Sequence, residues 1–126
     1  MNREFKRKND NLYESLLAAL KGLYVVFLRE RNLKIHVLAF LIVMFAAAYF
    51  QVSVIEWALI IIVSGMVIVS EIINSAIELT IDLVTKKESI RAKIAKDAAA
   101  GAVLISTLIA IVIGLFIFYN RLVGGS

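Results

Sequence analysis

Residues 33–50, 57–84 and 98–119 are three runs of overwhelmingly apolar side chains, each at least 18 residues long. About 20 apolar residues in a helix cross the hydrocarbon core of a bilayer. Lipid offers no hydrogen bonds to an exposed backbone, so runs of this length predict transmembrane helices. Only Lys34 and His36 interrupt the first run, both near its start. The 126 residues are 61% hydrophobic, and the mean hydropathy is +0.88, above the range of ordinary soluble domains. There is no proline to break a helix. With no cysteine, neither a disulfide nor a cysteine-ligated metal site can form, and the single histidine, His36, excludes a multi-histidine zinc site within one chain.

Residues 11–28 have a different pattern. Tyr13, Leu16, Leu17, Leu20, Leu23, Tyr24 and Phe27 share one face of a helix, with Glu14, Ser15 and Lys21 off it. The KRK cluster at 6–8 precedes it and would be attracted to anionic headgroups. This reads as an amphipathic helix lying on the membrane surface. The first residues are charged and the apolar positions after them are periodic rather than continuous, so no secretory signal peptide is expected. The tail, NRLVGGS, is expected to be disordered.

The basic residues set the orientation. Eight Lys and Arg lie before the first span or at its very start (the eighth is Lys34), none lies in the 51–56 connection, five lie in the polar loop at 85–97, and one follows the third span. The positive-inside rule then makes the N-terminus and the 85–97 loop cytoplasmic, and the 51–56 turn and C-terminus external, in a multi-pass protein of the plasma membrane.

The second run has an unusual end. In SEIINSAIELTIDLV (70–84), Glu71, Asn74, Ser75, Glu78 and Asp82 fall within an arc of roughly 100° at 100° per residue. They form a polar stripe on a greasy helix. If this span enters lipid near Trp57, Glu71 lies about 7–8 Å inside the cytoplasmic boundary, with Glu78 and Asp82 at or beyond it. An ionisable residue inside a span is functional by default. Arg29, Glu30, Arg31 and Asn32 before the first span, and Lys96 and Asp97 before the third, converge on the same boundary. Taken alone, Glu30 and Arg31 are ordinary interfacial charges, Lys96 and Asp97 merely flank a helix start, and His36 is a polar residue near the headgroups. Together, carboxylates and lysine are what magnesium-nucleotide chemistry uses. Mg²⁺ takes carboxylate, phosphate and water oxygens, lysine neutralises phosphate, and a further carboxylate can accept a proton from an attacking hydroxyl. Neither the P-loop nor the glycine-rich kinase loop occurs. Ala95, Ala98, Ala99, Gly101 and Ala102 are small enough for close helix packing. Three spans make a thin bundle for enclosing a nucleotide, which points to an oligomer.

KGLYVVFLRERNLKIH, SEIINSAIELTIDL and AKDAAAGAVL, in this order and spacing, resemble the small prokaryotic diacylglycerol kinase family over about residues 11–120. RERNLKIH and SEIINSAIE resemble its Gram-positive branch of undecaprenol kinases. The resemblance implies an all-α integral membrane fold, with an amphipathic surface helix and three transmembrane helices, assembled as a homotrimer with composite active sites. It implies Glu71 as general base with Asn74 beside it, and Glu30 and Glu78 holding Mg²⁺ under the ATP phosphates. Lys96 and Asp97 would contact the nucleotide, and Asp82 would have a supporting role. Against the Gram-negative form, Asn11 stands for an arginine, Ala18 for a tyrosine and His36 for an acid, and the 85–95 loop lacks a histidine. The expected activity is ATP- and Mg²⁺-dependent phosphorylation of undecaprenol, with diacylglycerol as the alternative acceptor. A small multidrug-type transporter using Glu71 is a distant rival; it predicts a carboxylate near mid-bilayer and a fourth span. A non-catalytic scaffold would leave the stripe unexplained. Nucleic acid has no place in any of these readings.

Overall fold

The computed structural model describes residues 11–124, and they form four helices joined by short connections: α1 (Leu12–Arg29), α2 (Arg31–Tyr49), α3 (Val54–Val84) and α4 (Ile90–Val123). No strand occurs among the described residues. The KRK cluster at 6–8 and the terminal Gly125 and Ser126 lie outside them.

Each boundary has a local cause. Asn11 caps α1, its side chain accepting from the Glu14 N–H at 2.8 Å. Such a cap satisfies a donor that the first turn would otherwise leave free. α1 ends at one extended residue, Glu30 (φ −100°, ψ 112°), and α2 starts at the next. The chain turns between α2 and α3 through Gln51, whose φ of 53° lies in the left-handed region that non-glycine residues seldom adopt. α3 then opens on a capping box: Ser53 accepts from the Glu56 N–H, and the Glu56 carboxylate accepts from the Ser53 N–H at 2.8 Å. That box starts the helix at Val54, ahead of the apolar run.

The polar segment 85–97, expected as a loop, is mostly helix. Ser89 accepts from the Ala92 N–H and starts α4 at Ile90, and Lys93 reaches Asp97 one turn on at 2.6 Å. Local capping and an i,i+4 ion pair extend the helix by eight residues beyond the apolar run. The tail also departs from expectation: α4 continues through Asn120 and Arg121 to Val123. Arg121 crosses to α3, donating from Nε to Glu56 at 3.1 Å in a mostly buried ion pair.

α2, α3 and α4 are each long and apolar enough to cross a membrane. α3 has 31 residues, about 46 Å at 1.5 Å each, so it exceeds a hydrocarbon core of about 30 Å. α3 packs chiefly on α4, with α2 alongside and α1 against α2. The core lies toward the Ser53 end. Ala47, Val52, Ile60 and Ile117 are buried there, with Trp57, Phe50 and Phe118 packed around them. Most other large apolar side chains are exposed, including Leu38, Ile62, Leu104 and Phe116. Water would penalise a surface of this kind heavily, whereas lipid does not.

Candidate functional site

At the Ser89 end, the interior is polar. Among the described residues, the buried polar side chains are Glu71 (3% exposed), Asn74 (7%) and Ser75 (1%). All three sit on α3, which the sequence makes helical without interruption from its cap to Thr85, so their spacing places them on one face. That face meets α2: Oε2 of Glu71 lies 3.8 Å from Nε2 of His36. One turn along α3, Asn74 Nδ2 donates to Glu78 Oε1 at 3.4 Å. Glu30, at the break between α1 and α2, and Glu78 both lie within electrostatic range of Glu71. The extended backbone at Glu30 brings a third carboxylate to the same end of the bundle.

Two buried atoms in this cluster, Asn74 Oδ1 and Ser75 Oγ, have no hydrogen-bond partner among the described residues. Buried polar atoms without partners cost about 1–3 kcal/mol each. Groups of this kind mark a place where a ligand, a water or a neighbouring subunit completes the structure.

The second group lies one helical turn beyond the first. Lys96 on α4 bridges to Asp82 on α3 at 2.7 Å, and Lys96 also lies within electrostatic range of Glu78. Asp97 is held by Lys93 on its own helix rather than by α3. Asp82, Lys86, Lys93, Lys96 and Asp97 line a cleft of about 830 Å³ between the end of α3 and the start of α4. The chain therefore sorts the expected residues into two sets. Glu30, Glu71, Asn74 and Glu78 gather near the α2–α3 face. Asp82, Lys96 and Asp97 surround the adjoining cleft, where Asp82 neutralises Lys96.

No group of three acidic or histidine side chains among the described residues is close enough to hold a metal ion. Mg²⁺ does not require one, because it is commonly held by one or two carboxylates, with substrate phosphates and water supplying the remaining oxygens. A donor set of Glu30 and Glu78 fits that coordination chemistry.

The sequence suggested for His36 only a polar place near the headgroups, yet its ring lies 3.8 Å from the buried carboxylate. Its place opposite Glu71 depends on how α2 packs against α3, which no spacing along either helix reveals. Ser75 was legible as part of the stripe, but not as its most buried member.

Comparison with known proteins identifies the family. The family model described as prokaryotic diacylglycerol kinase matches residues 17–118. The chain is 36% identical to the undecaprenol kinase of Bacillus subtilis (strain 168) over 121 residues, covering 96% of this chain and 98% of that protein. It is also 36% identical to a diacylglycerol kinase of Synechocystis, over 82% of this chain and 60% of that protein. A third relative, the diacylglycerol kinase of Helicobacter pylori, is 32% identical over 82% of this chain and 78% of that protein. Three helices able to cross a membrane and a nearly full-length match to a lipid kinase agree, and the chain belongs to the prokaryotic diacylglycerol kinase family.

Proposed function

We propose that this protein transfers the γ-phosphoryl group of ATP to the hydroxyl of undecaprenol at the cytoplasmic face of the plasma membrane. The observation that carries the reading is the buried Glu71 carboxylate near the boundary end of a spanning helix, with Glu30 and Glu78 in electrostatic range. A long lipid alcohol presents its hydroxyl at that depth, and ATP arrives from the cytosol. Undecaprenol is favoured over other acceptors by the nearly full-length match to the Bacillus protein. Diacylglycerol is the second reading, supported by the two other relatives.

Glu71 takes the proton of the lipid hydroxyl as that oxygen attacks the γ-phosphorus. The new O–P bond forms as the bond to the β–γ bridging oxygen breaks, and ADP leaves. Asn74 holds Glu78 in place through its amide and sits beside the base. Glu30 and Glu78 are the residues that would hold Mg²⁺, which would neutralise phosphate charge when bound. Lys96 contacts phosphate on exchanging its Asp82 partner for the nucleotide, which gives Asp82 its supporting role. Asp97 borders the same cleft and contacts the nucleotide there.

The active unit in this reading is a homotrimer. Among the described residues many apolar side chains on the spans are exposed and two buried polar atoms lack partners, and a neighbouring subunit can cover both. α1 lies on the membrane surface as an amphipathic helix, since none of its residues is buried and Leu16, Leu20 and Tyr24 are exposed. The whole chain acts as one membrane domain, with a cytoplasmic N-terminus and an external C-terminus.

The test offers purified protein labelled ATP and Mg²⁺ with undecaprenol and diacylglycerol side by side. Preferential labelling of undecaprenol is expected. Preferential labelling of diacylglycerol exchanges the acceptor, and labelling of neither overturns the kinase reading.

A further inference from the structure

Nε2 of His36 and Oε2 of Glu71 face each other across 3.8 Å. That is too long for a hydrogen bond, but close to the spacing of two ligands on one metal ion. Zinc holds an imidazole nitrogen at about 2.0–2.1 Å and a carboxylate oxygen at about 2.0–2.2 Å. Around a tetrahedral centre two such atoms lie about 3.4 Å apart, so the pair needs to close by only about 0.4 Å. Both side chains are largely shielded, His36 being 21% exposed and Glu71 4%.

The surroundings supply more of a coordination sphere. Asn74, one turn along α3, lies within hydrogen-bonding reach of Glu71, and its Oδ1 is buried without a partner among the described residues. An amide oxygen of this kind can serve as a third ligand, with water as the fourth. Asn74 Nδ2 donates to Glu78, which steadies the amide from behind, as outer partners do around bound metals. On its other side His36 borders an apolar groove of about 360 Å³ between α2, α3 and α4, lined by Phe40, Val43, Ile60, Val67 and Phe118. Those five side chains offer the ring no polar partner in place of Glu71. Charge favours a cation as well. Glu30 and Glu78 lie within electrostatic range of Glu71, and Lys96 is already paired with Asp82.

We propose that His36, Glu71 and Asn74 form a binding site for a borderline first-row metal ion such as Zn²⁺, separate from the Glu30–Glu78 pair assigned to Mg²⁺. Donor type divides the two ions. Imidazole suits zinc, whereas Mg²⁺ takes oxygen ligands and keeps several waters. The consequence rests on the kinase reading: Zn²⁺ on the Glu71 carboxylate ties up the electron pair that would accept the lipid proton, so the ion inhibits phosphoryl transfer. The competing occupant of the gap is a water molecule, which would bridge the two side chains without selecting any metal.

The test uses the full chain, without a histidine tag, in detergent micelles and excess Mg²⁺. Zn²⁺ is the probe in equilibrium dialysis, and Co²⁺ is its coloured substitute. Wild type should hold one Zn²⁺ per chain. His36→Phe keeps a ring but no ligand, and should weaken binding about 10-fold or more, since loss of even an outer partner costs about 10–100-fold. His36→Gln, a second replacement should the phenyl ring disturb packing, should weaken it too. Glu71→Gln should do the same, whereas Glu30→Gln should leave Zn²⁺ binding intact. Co²⁺ should give wild type a visible absorption band that His36→Phe lacks. In the lipid kinase assay at saturating ATP and Mg²⁺, Zn²⁺ should inhibit wild type at lower concentration than His36→Phe, each measured against its own zinc-free rate. No Zn²⁺ on wild type, or equal binding by wild type and both His36 variants, overturns the site. Zinc held through His36 with no effect on turnover overturns the inhibitory role. A wild type that binds zinc through His36 but phosphorylates no lipid alcohol upholds the site and removes the kinase reading, a result distinct from the others.

Discussion

Glu71→Gln is the most direct perturbation of the proposed chemistry. The amide has the size of the carboxylate and can still accept through its oxygen, but it cannot take a proton from the lipid hydroxyl. Glu71 is 3% exposed, so a neutral side chain in its place removes a buried charge rather than creating one. Asn74 keeps its bond to Glu78, and the α3 backbone is untouched. Folding and ATP binding should therefore persist while the chemical step slows. Loss of a general base costs about 10²–10⁴-fold in rate, or about 2.7–5.4 kcal/mol in the barrier at 1.36 kcal/mol per decade. Glu71→Asp shortens the stem by one methylene but keeps a proton acceptor, so it should retain more activity than the amide. The assay is formation of labelled undecaprenyl phosphate at saturating ATP and Mg²⁺, with nucleotide binding and thermal unfolding measured on the same preparation. Full activity in Glu71→Gln would falsify the assignment. Unfolding or loss of ATP binding would make Glu71 structural and pass the role of base to Asp97, which is exposed and paired with Lys93.

Glu30→Gln and Glu78→Gln each remove a charge from the proposed metal site; activity should fall strongly and the Mg²⁺ or ATP requirement should rise, whereas normal turnover at low Mg²⁺ would dismiss the residue concerned. Lys96→Met should raise the ATP KM more than Asp82→Asn does, since the lysine would face phosphate and the aspartate only its partner; equal effects would reduce the pair to a helix clamp. Arg121→Leu leaves Glu56 without its ion-pair partner and should lower the melting temperature with no change in the ATP KM; an unchanged melting temperature would show that the pair does not hold α4 to α3. The chain has no cysteine of its own, so single cysteines at Val54, 84% exposed, and at exposed Glu88 can report topology. An impermeant thiol reagent should label the first and spare the second in intact cells, and the reverse pattern would invert the proposed orientation.

Local pattern carried most of what could be read in advance. The three apolar runs specified spanning helices because lipid leaves a backbone of that length no other hydrogen-bonded form. The arc of Glu71, Asn74, Ser75, Glu78 and Asp82 was legible for a similar reason: a helix of fixed pitch turns spacing into direction. Helix ends were less legible. Residues 90–97 looked like a loop because they are polar, yet Ser89 caps them and Lys93 pairs with Asp97, which makes a polar helix as stable locally as an apolar one needs to be. Residues 120–123 are helical partly because Arg121 reaches Glu56, 65 positions away. The opposition of His36 to Glu71, the pairing of Lys96 with Asp82 and the groove below His36 belong to tertiary structure alone. Each depends on the rotation of one helix about its axis relative to another. That rotation is set by side-chain packing summed over the whole interface, so no window along a single helix contains it.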